Sequence, residues 1–219
     1  MTETVAAPSR DAMDDIYRHQ RFIYDATRRY YLFGRNEMLA ALAPPAGGTV
    51  LEVGCGTARN LILAAKRYPN ARLFGFDISS EMLKSAWRSV EASGCAERIR
   101  LAEGDATNFD ADALFGADEF DRIYISYALS MIPDWEAVIK HAASQLAPGG
   151  ALHIVDFGTM ERMPAAARGA MLAWLRRFSV TPRRDLTSVA HANARERGLQ
   201  CSFRHGWLDY CAHAVLQRA

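Results

Sequence analysis

From residue 49 onward, short apolar runs alternate with segments whose apolar residues recur at helical spacing. The runs at 49–53, 72–76, 98–102, 120–126 and 151–156 predict strands. The segments 59–67, 80–93 and 135–146 predict helices between them. Strands that are apolar on both faces and separated by helices are the pattern of β-α-β units, which build a parallel sheet through right-handed crossovers. Gly149-Gly150 reads as the turn into the fifth strand.

Both ends of the chain depart from this rhythm. Residues 11–29 predict a helix with Asp11, Asp14 and Asp15 at its positive end, and Tyr17, Arg21, Tyr24, Arg28 and Tyr31 fall on one face. A second short helix over 35–42 stops at Pro44-Pro45 and Gly47-Gly48. Beyond the fifth strand, 164–178 predicts a helix ended by Thr181-Pro182, and another short helix precedes Gly198. Residues 200–204 and 209–217 alternate and predict an antiparallel strand pair at the sheet edge. The expectation is one α/β domain over 11–219, with a doubly wound, seven-stranded, mostly parallel sheet and an antiparallel last strand. A flexible start at 1–10 precedes a helical cap (11–46), a core (47–158), a helical insertion (159–198) and the terminal strands (199–219).

Composition leaves this picture intact: of 219 residues, 50% are hydrophobic and 23% charged, enough to bury a full core. The net charge of +1 is unevenly spread. Residues 49–155 hold ten basic against fourteen acidic residues, and 156–219 hold ten against five. A basic C-terminal part suits an anionic membrane surface or phosphate groups, although scattered surface arginines give the same sum. Cys55, Cys95, Cys201 and Cys211 lack metal-site spacing, and the histidines form no ligand pair, so reduced thiols and no metal are expected. His19, His153 and His205 read as structural. The start has no secretory apolar core, which makes the expected location cytoplasmic, with peripheral contact at the inner membrane surface.

Candidate chemistry gathers at the strand ends. Val50-Leu51-Glu52-Val53-Gly54-Cys55-Gly56-Thr57-Ala58-Arg59-Asn60 runs from a strand through a glycine turn into a helix. Gly54 and Gly56 let the backbone turn tightly and approach a ligand. A Gly-x-Gly turn alone also suits nicotinamide and flavin enzymes. Its neighbours narrow the choice: Glu52 sits inside the strand, Asp77 ends the second strand where it can accept two ribose hydroxyls, and Asp105 closes the third. Three acids at three successive strand ends define one crevice.

On these residues the chain resembles class I S-adenosylmethionine-dependent methyltransferases. Glu52 to Gly56 look like their glycine motif, Asp77 their ribose acid and Asp105 their adenine-side acid, while Ser126-Tyr127-Ala128-Leu129 lies where their fourth motif falls. The resemblance implies S-adenosylmethionine as cofactor, held by Glu52, Gly54, Cys55, Gly56, Thr57, Asn60, Asp77, Ile78, Met82, Asp105, Ala106, Ser126 and Tyr127. Ala58 stands where many members carry a third glycine.

A narrower resemblance rests on Tyr17-Arg18-His19-Gln20-Arg21, Thr27-Arg28-Arg29-Tyr30-Tyr31, residues 125–133, His153 to Gly158 and Val180-Thr181-Pro182-Arg183. These look like bacterial betaine-lipid N-methyltransferases, which methylate the amine of diacylglyceryl homoserine three times. The resemblance implies a diacylglyceryl lipid as partner. An alkylated ammonium favours aromatic faces, and Tyr17, Tyr24, Tyr30, Tyr31 and Tyr127 are the candidates; a carboxylate favours an arginine fork, for which Arg21, Arg28 and Arg35 are candidates. The same aromatic stripe also suits plain helix packing. Residues 164–178, with Met171, Trp174, Leu175 and Phe178 among Arg168, Arg176 and Arg177, suit either a membrane interface or a lid. The alternatives are a phosphatidylethanolamine methyltransferase, another small-molecule amine methyltransferase, a nicotinamide-dependent oxidoreductase and a binding protein that keeps the crevice without catalysis. No dense basic stripe points to nucleic acid.

Overall fold

The computed structural model describes residues 32–219. The helix expected over 11–29, with Tyr17, Arg21, Tyr24, Arg28, Tyr30 and Tyr31, lies outside the described residues.

Helix α1 (Arg35–Ala41) precedes β1 (Thr49–Val53), α2 (Arg59–Arg67), β2 (Arg72–Asp77), α3 (Ser80–Ala92) and β3 (Ile99–Glu103). There follow α4 (Ala111–Phe115), β4 (Phe120–Ser126), α5 (Trp135–Ser144), β5 (Leu146–Phe157), α6 (Ala165–Arg176), α7 (Leu186–Arg197), β6 (Gln200–His205) and β7 (Cys211–Gln217). Among the described residues these strands form one seven-stranded sheet in the order β3-β2-β1-β4-β5-β7-β6. The pairs among β1 to β5 are parallel, and β7 runs antiparallel to both its neighbours. The expected doubly wound sheet with an antiparallel last strand is therefore the observed one.

Side chains alternate across the pleat, and both faces are covered. Val50, Leu73, Tyr124 and Val155 pack with Leu39 of α1, Leu61 and Ala64 of α2 and Ala86 of α3. Leu51, Val53, Phe74, Ile123 and Ile154 pack on the opposite face with Phe115, Val138, Ile139 and Ala190. Leu51 and Ile123 are fully enclosed, so truncating either to alanine costs about 2–5 kcal/mol.

Three local expectations are corrected. The connection from β3 to β4 contains a short helix, α4, begun by the Asp110 side chain accepting from Ala113 N and ended by left-handed Gly116; five residues are too few for a periodic signal. The fifth strand starts at Leu146, not 151, because the chain pairs Leu146 with Phe120, shifts register, and resumes at Ala151 opposite Arg122. The Pro148-Gly149-Gly150 segment is thus a bulge within the strand, with Gly149 at φ 73. The last strand begins at Cys211 instead of 209, since Trp207–Asp209 form a helical turn in which Leu208 and Asp209 take φ of 51 and 57.

Among the described residues no helix is long and apolar enough to cross a membrane, and no cluster of three or more His, Cys, Asp or Glu could hold a metal ion. The four cysteines are unpaired.

Candidate active site

The strand order steps outward from β1 to β2 and β3, then returns to β4 on the other side of β1. Loops leaving β1 and β4 therefore part in opposite directions and open a crevice at their carboxyl ends.

The loop after β1 is shaped by three left-handed residues, Gly54 (φ 70), Gly56 (φ 53) and Ala58 (φ 61). A Cβ on Gly54 would stand 2.9 Å from that of Ala128, so only glycine lets the loop pass the end of β4. Cys55 N donates to Phe76 O at 2.9 Å and Gly56 N to Asp77 Oδ2 at 2.8 Å, which tie the loop to the end of β2. Asp77 Oδ1 accepts from Ser79 N at 2.9 Å. Two backbone amides thus aim the carboxylate, and its oxygens are the acceptor type that a pair of hydroxyls needs.

Glu52 is 1% exposed inside β1, opposite Tyr124 of β4 and Gly75 of β2. Its Oε1 accepts from Asn60 Nδ2 at 2.8 Å and its Oε2 from the Tyr124 hydroxyl at 3.0 Å. Burial pushes its pKa up to about 8, against the opposing pull of Asn60, Tyr124 and the Arg35 charge. Gly75 keeps this face thin: a Cβ there would meet Leu61 Cδ1 at 2.4 Å.

A cavity of about 150 Å³ lies above these residues, lined by Glu52, Gly54, Thr57, Asn60, Ser126 and Arg35 among others. Of the residues expected to hold a cofactor, Glu52, Gly54, Cys55, Gly56, Thr57, Asn60 and Ser126 line this cavity, while Asp77, Ile78, Met82, Asp105, Ala106 and Tyr127 do not. The Cys55 thiol is buried and pushed well up in pKa by that burial, leaving its backbone as the useful part. Ile78 and Met82 follow β2, where Met82 N donates to the Ser79 hydroxyl that caps α3. Asp105 is exposed at the end of β3, with Oδ1 accepting from Thr107 N and Oγ1; Ala106 is buried in the core beside it. Gly104 N donates to Asp77 O at 3.1 Å and holds the two strand ends together.

Arg35, expected to meet a substrate carboxylate, is 7% exposed on α1 and lines this same cavity. Tyr127 is placed differently from expectation. It is 1% exposed, sits at φ 56, donates its hydroxyl to Phe33 O at 2.6 Å and packs edge-on against Phe157. Its side chain is a strut under the segment leading into α1 and does not line the cavity. Sequence reasoning missed Leu32 and Arg59 in the lining and Tyr124 beneath it. A signal for Tyr124 existed, since a carboxyl buried within a strand needs a donor on a neighbouring strand.

Residues 50–150 match the family described as methyltransferase domain. The chain is 34% identical over 127 residues to a phosphatidylethanolamine N-methyltransferase of Cereibacter sphaeroides, covering 58% of this chain and 59% of the relative. It is also 34% identical over 119 residues to a trans-aconitate 2-methyltransferase of Variovorax paradoxus, covering 54% of this chain and 42% of that one. The chain spans about half the length of the curated relatives it matches. Among solved structures, a methyltransferase in complex with a Haloferax volcanii methyltransferase activator superposes with a TM-score of 0.72 at 18% identity, over 93% of this chain and 96% of that one. An S-adenosylmethionine-dependent methyltransferase from Aquifex aeolicus gives 0.64 at 16%, over 88% and 93%. Residues 50–150 thus resemble a methyltransferase domain, the fold is shared with S-adenosylmethionine-dependent methyltransferases, and S-adenosylmethionine is the cofactor that the match implies.

The residues present fit that cofactor. Asp77 is aimed by two backbone amides, and its oxygens are the acceptor type that a ribose needs. Ser126 Oγ and Asn60 Oδ1, both in the cavity lining, are buried without a hydrogen-bond partner among the described residues. Buried polar atoms left unsatisfied in a crevice are what a polar ligand completes.

Proposed function

We propose that the protein is an N-methyltransferase that uses S-adenosylmethionine to methylate the amine of diacylglyceryl homoserine, forming the trimethylated betaine lipid. When bound, the cofactor supplies an electrophilic methyl group on a sulfonium. The observation that carries the reading is the charge pattern of the cavity: among the described residues Arg35, Arg59 and Glu52 line it, and no histidine or lysine does. Arginine forks and a buried carboxyl complement amino-acid groups, and this reaction brings two together, that of the cofactor and that of homoserine.

Displacement at a methyl group requires an in-line approach and an unprotonated amine more than a strong base. Glu52 and Asn60 would hold the ammonium end of the cofactor and Asp77 would orient its ribose, with the buried Ser126 hydroxyl in the lining of the same crevice. Arg35 fixes the acceptor carboxylate. Tyr24, Tyr30 and Tyr31 supply aromatic faces to a nitrogen that becomes more alkylated with each turnover, and Arg28 adds a second cation. Further support comes from the resemblance of segments across nearly the whole chain to betaine-lipid methyltransferases.

The relative from Cereibacter sphaeroides favours a second reading, methylation of phosphatidylethanolamine. That acceptor carries phosphate where homoserine carries carboxylate. Purified protein given each lipid with labelled cofactor, and the products weighed, separates the two. Trimethylation of the homoserine lipid is expected; methylation of the ethanolamine lipid alone would overturn the proposal.

A further inference from the structure

Between residues 159 and 184 the chain carries six arginines and a single acid, Glu161. Arg183 is engaged internally, donating from Nε to Leu129 O at 2.9 Å and from a terminal nitrogen to Ile132 O at 2.7 Å. Arg162, Arg168, Arg176, Arg177 and Arg184 form no ion pair among the described residues. All but Arg168 are exposed.

The helix that carries Arg168 and Arg176 lies on the surface. Of α6 only Leu175 is buried, while Met171, Leu172 and Trp174 are partly covered by the core. Left-handed residues bracket it, Met160 at φ 55 and Ser179 at φ 56. Between α6 and the turn after it is a cavity of about 190 Å³, lined by Arg176 and Arg184, by Thr159 and Thr181, and by Leu172 and Val180 among others. Two guanidinium groups and two hydroxyls beside an apolar wall suit an oxyanion attached to an apolar body.

Its position links it to the active site. Thr159 lies just past the carboxyl end of β5, and Thr181 N donates to Ser130 O at 2.8 Å, four residues beyond Ser126 of the crevice. Both cavities therefore open along one edge of the sheet.

We propose that the 159–184 segment docks on an anionic phospholipid bilayer, with a lipid phosphodiester seated between Arg176 and Arg184, so that the edge of the sheet bearing the crevice faces the lipid. Charge complementarity and a half-covered helix of apolar and basic residues argue for this occupant. The proposal rests on the reading that the acceptor is a lipid, but its test needs neither acceptor nor turnover.

The full chain is floated with vesicles of phosphatidylcholine alone and of phosphatidylcholine mixed with phosphatidylglycerol. Binding to the mixed vesicles only, falling as salt is raised, is expected. Each arginine near an anionic surface contributes about fivefold, so Arg176→Gln/Arg184→Gln weakens binding roughly 25-fold. Calorimetry with S-adenosylmethionine, expected to be unchanged, reports that the variant is folded. If it is not, Arg162→Gln/Arg177→Gln, at two exposed positions, serves in its place with the same expected loss. Equal binding to both kinds of vesicle, undiminished binding of a folded variant, or tight binding of inorganic phosphate without any vesicle binding would each overturn the proposal. Intact vesicle binding with no methylation of detergent-dispersed homoserine lipid would strike the proposed reaction and leave the docking surface standing.

Discussion

Asn60 reaches back from the first turn of α2 to Glu52 in β1, donating from Nδ2 to Oε1 at 2.8 Å, and so joins the two ends of the glycine loop through a carboxyl that burial holds at a pKa of about 8. Burial of this carboxyl, which the Asn60 bond only partly offsets, makes folding stability depend on pH. A carboxyl raised from 4.5 to about 8 on folding contributes stability that is fully present below 4.5 and lost as pH rises through about 8. Asp156, fully buried and raised to about 6, acts in the same direction at lower pH. His153 and His213, lowered by burial to about 4, act oppositely, adding stability as pH rises from about 4 to 6.5. Between about pH 6.5 and 8, Glu52 is the group of these still titrating. Thermal melts across that window should show wild-type stability falling and Glu52→Gln staying flat. An equal decline in both would refute the assignment.

Cofactor affinity should follow the opposite slope. A cationic ammonium beside Glu52 favours its ionised form, so S-adenosylmethionine binding by calorimetry should tighten as pH approaches about 8. Glu52→Gln should bind more weakly and lose this dependence.

Asp77 ties the loop to β2 through Gly56 N at 2.8 Å and Ser79 N at 2.9 Å, besides its proposed place at the cofactor's ribose. Hydrogen bonds to a charged group are each worth about 1.5–3 kcal/mol, so Asp77→Ala should weaken cofactor binding by roughly 100-fold or more. Unchanged calorimetric affinity would remove the ribose from this position.

Tyr127 tests whether its hydroxyl belongs to the architecture or to the acceptor. The bond to Phe33 O at 2.6 Å predicts that Tyr127→Phe costs about 1 kcal/mol of stability. Its effect on turnover should enter through KM, since the segment it props carries Arg35. A large fall in kcat at unaltered stability would instead put the hydroxyl against the acceptor.

Gly34 takes φ 77 at the turn into α1, and a Cβ there would lie 2.3 Å from His213 Nε2. Gly34→Ala should lower the melting temperature by several degrees, with about 1–2 kcal/mol from the backbone alone. His213→Ala in the same chain should return the part due to the clash; no recovery would mean that the backbone term accounts for the whole loss.

The core was legible because its physics is local. The first strand, the helix after it and the fourth strand fall at the boundaries that apolar periodicity sets, and Glu52, Asp77 and Asn60 meet because strand ends and a glycine turn leave little choice. What stayed hidden depends on contacts distant in sequence. Tyr124 serves Glu52 across 72 residues, and the Tyr127 hydroxyl finds a carbonyl 94 residues away. The bulge at Gly149 arises from how β4 and β5 pair, which no window along one strand contains. Leu208 and Asp209, left-handed without being glycine, gave no composition cue to the turn before β7.

Ala58 holds a left-handed φ of 61 with its methyl fully enclosed. A glycine at that position would reach the same geometry without strain, but from a broader unfolded ensemble and with freedom to leave it. An alanine stays in that turn because the core around it over-determines it: leaving the left-handed region would pull the enclosed methyl out of its packing, so the shape of the loop is fixed by the fold beneath it before any ligand arrives.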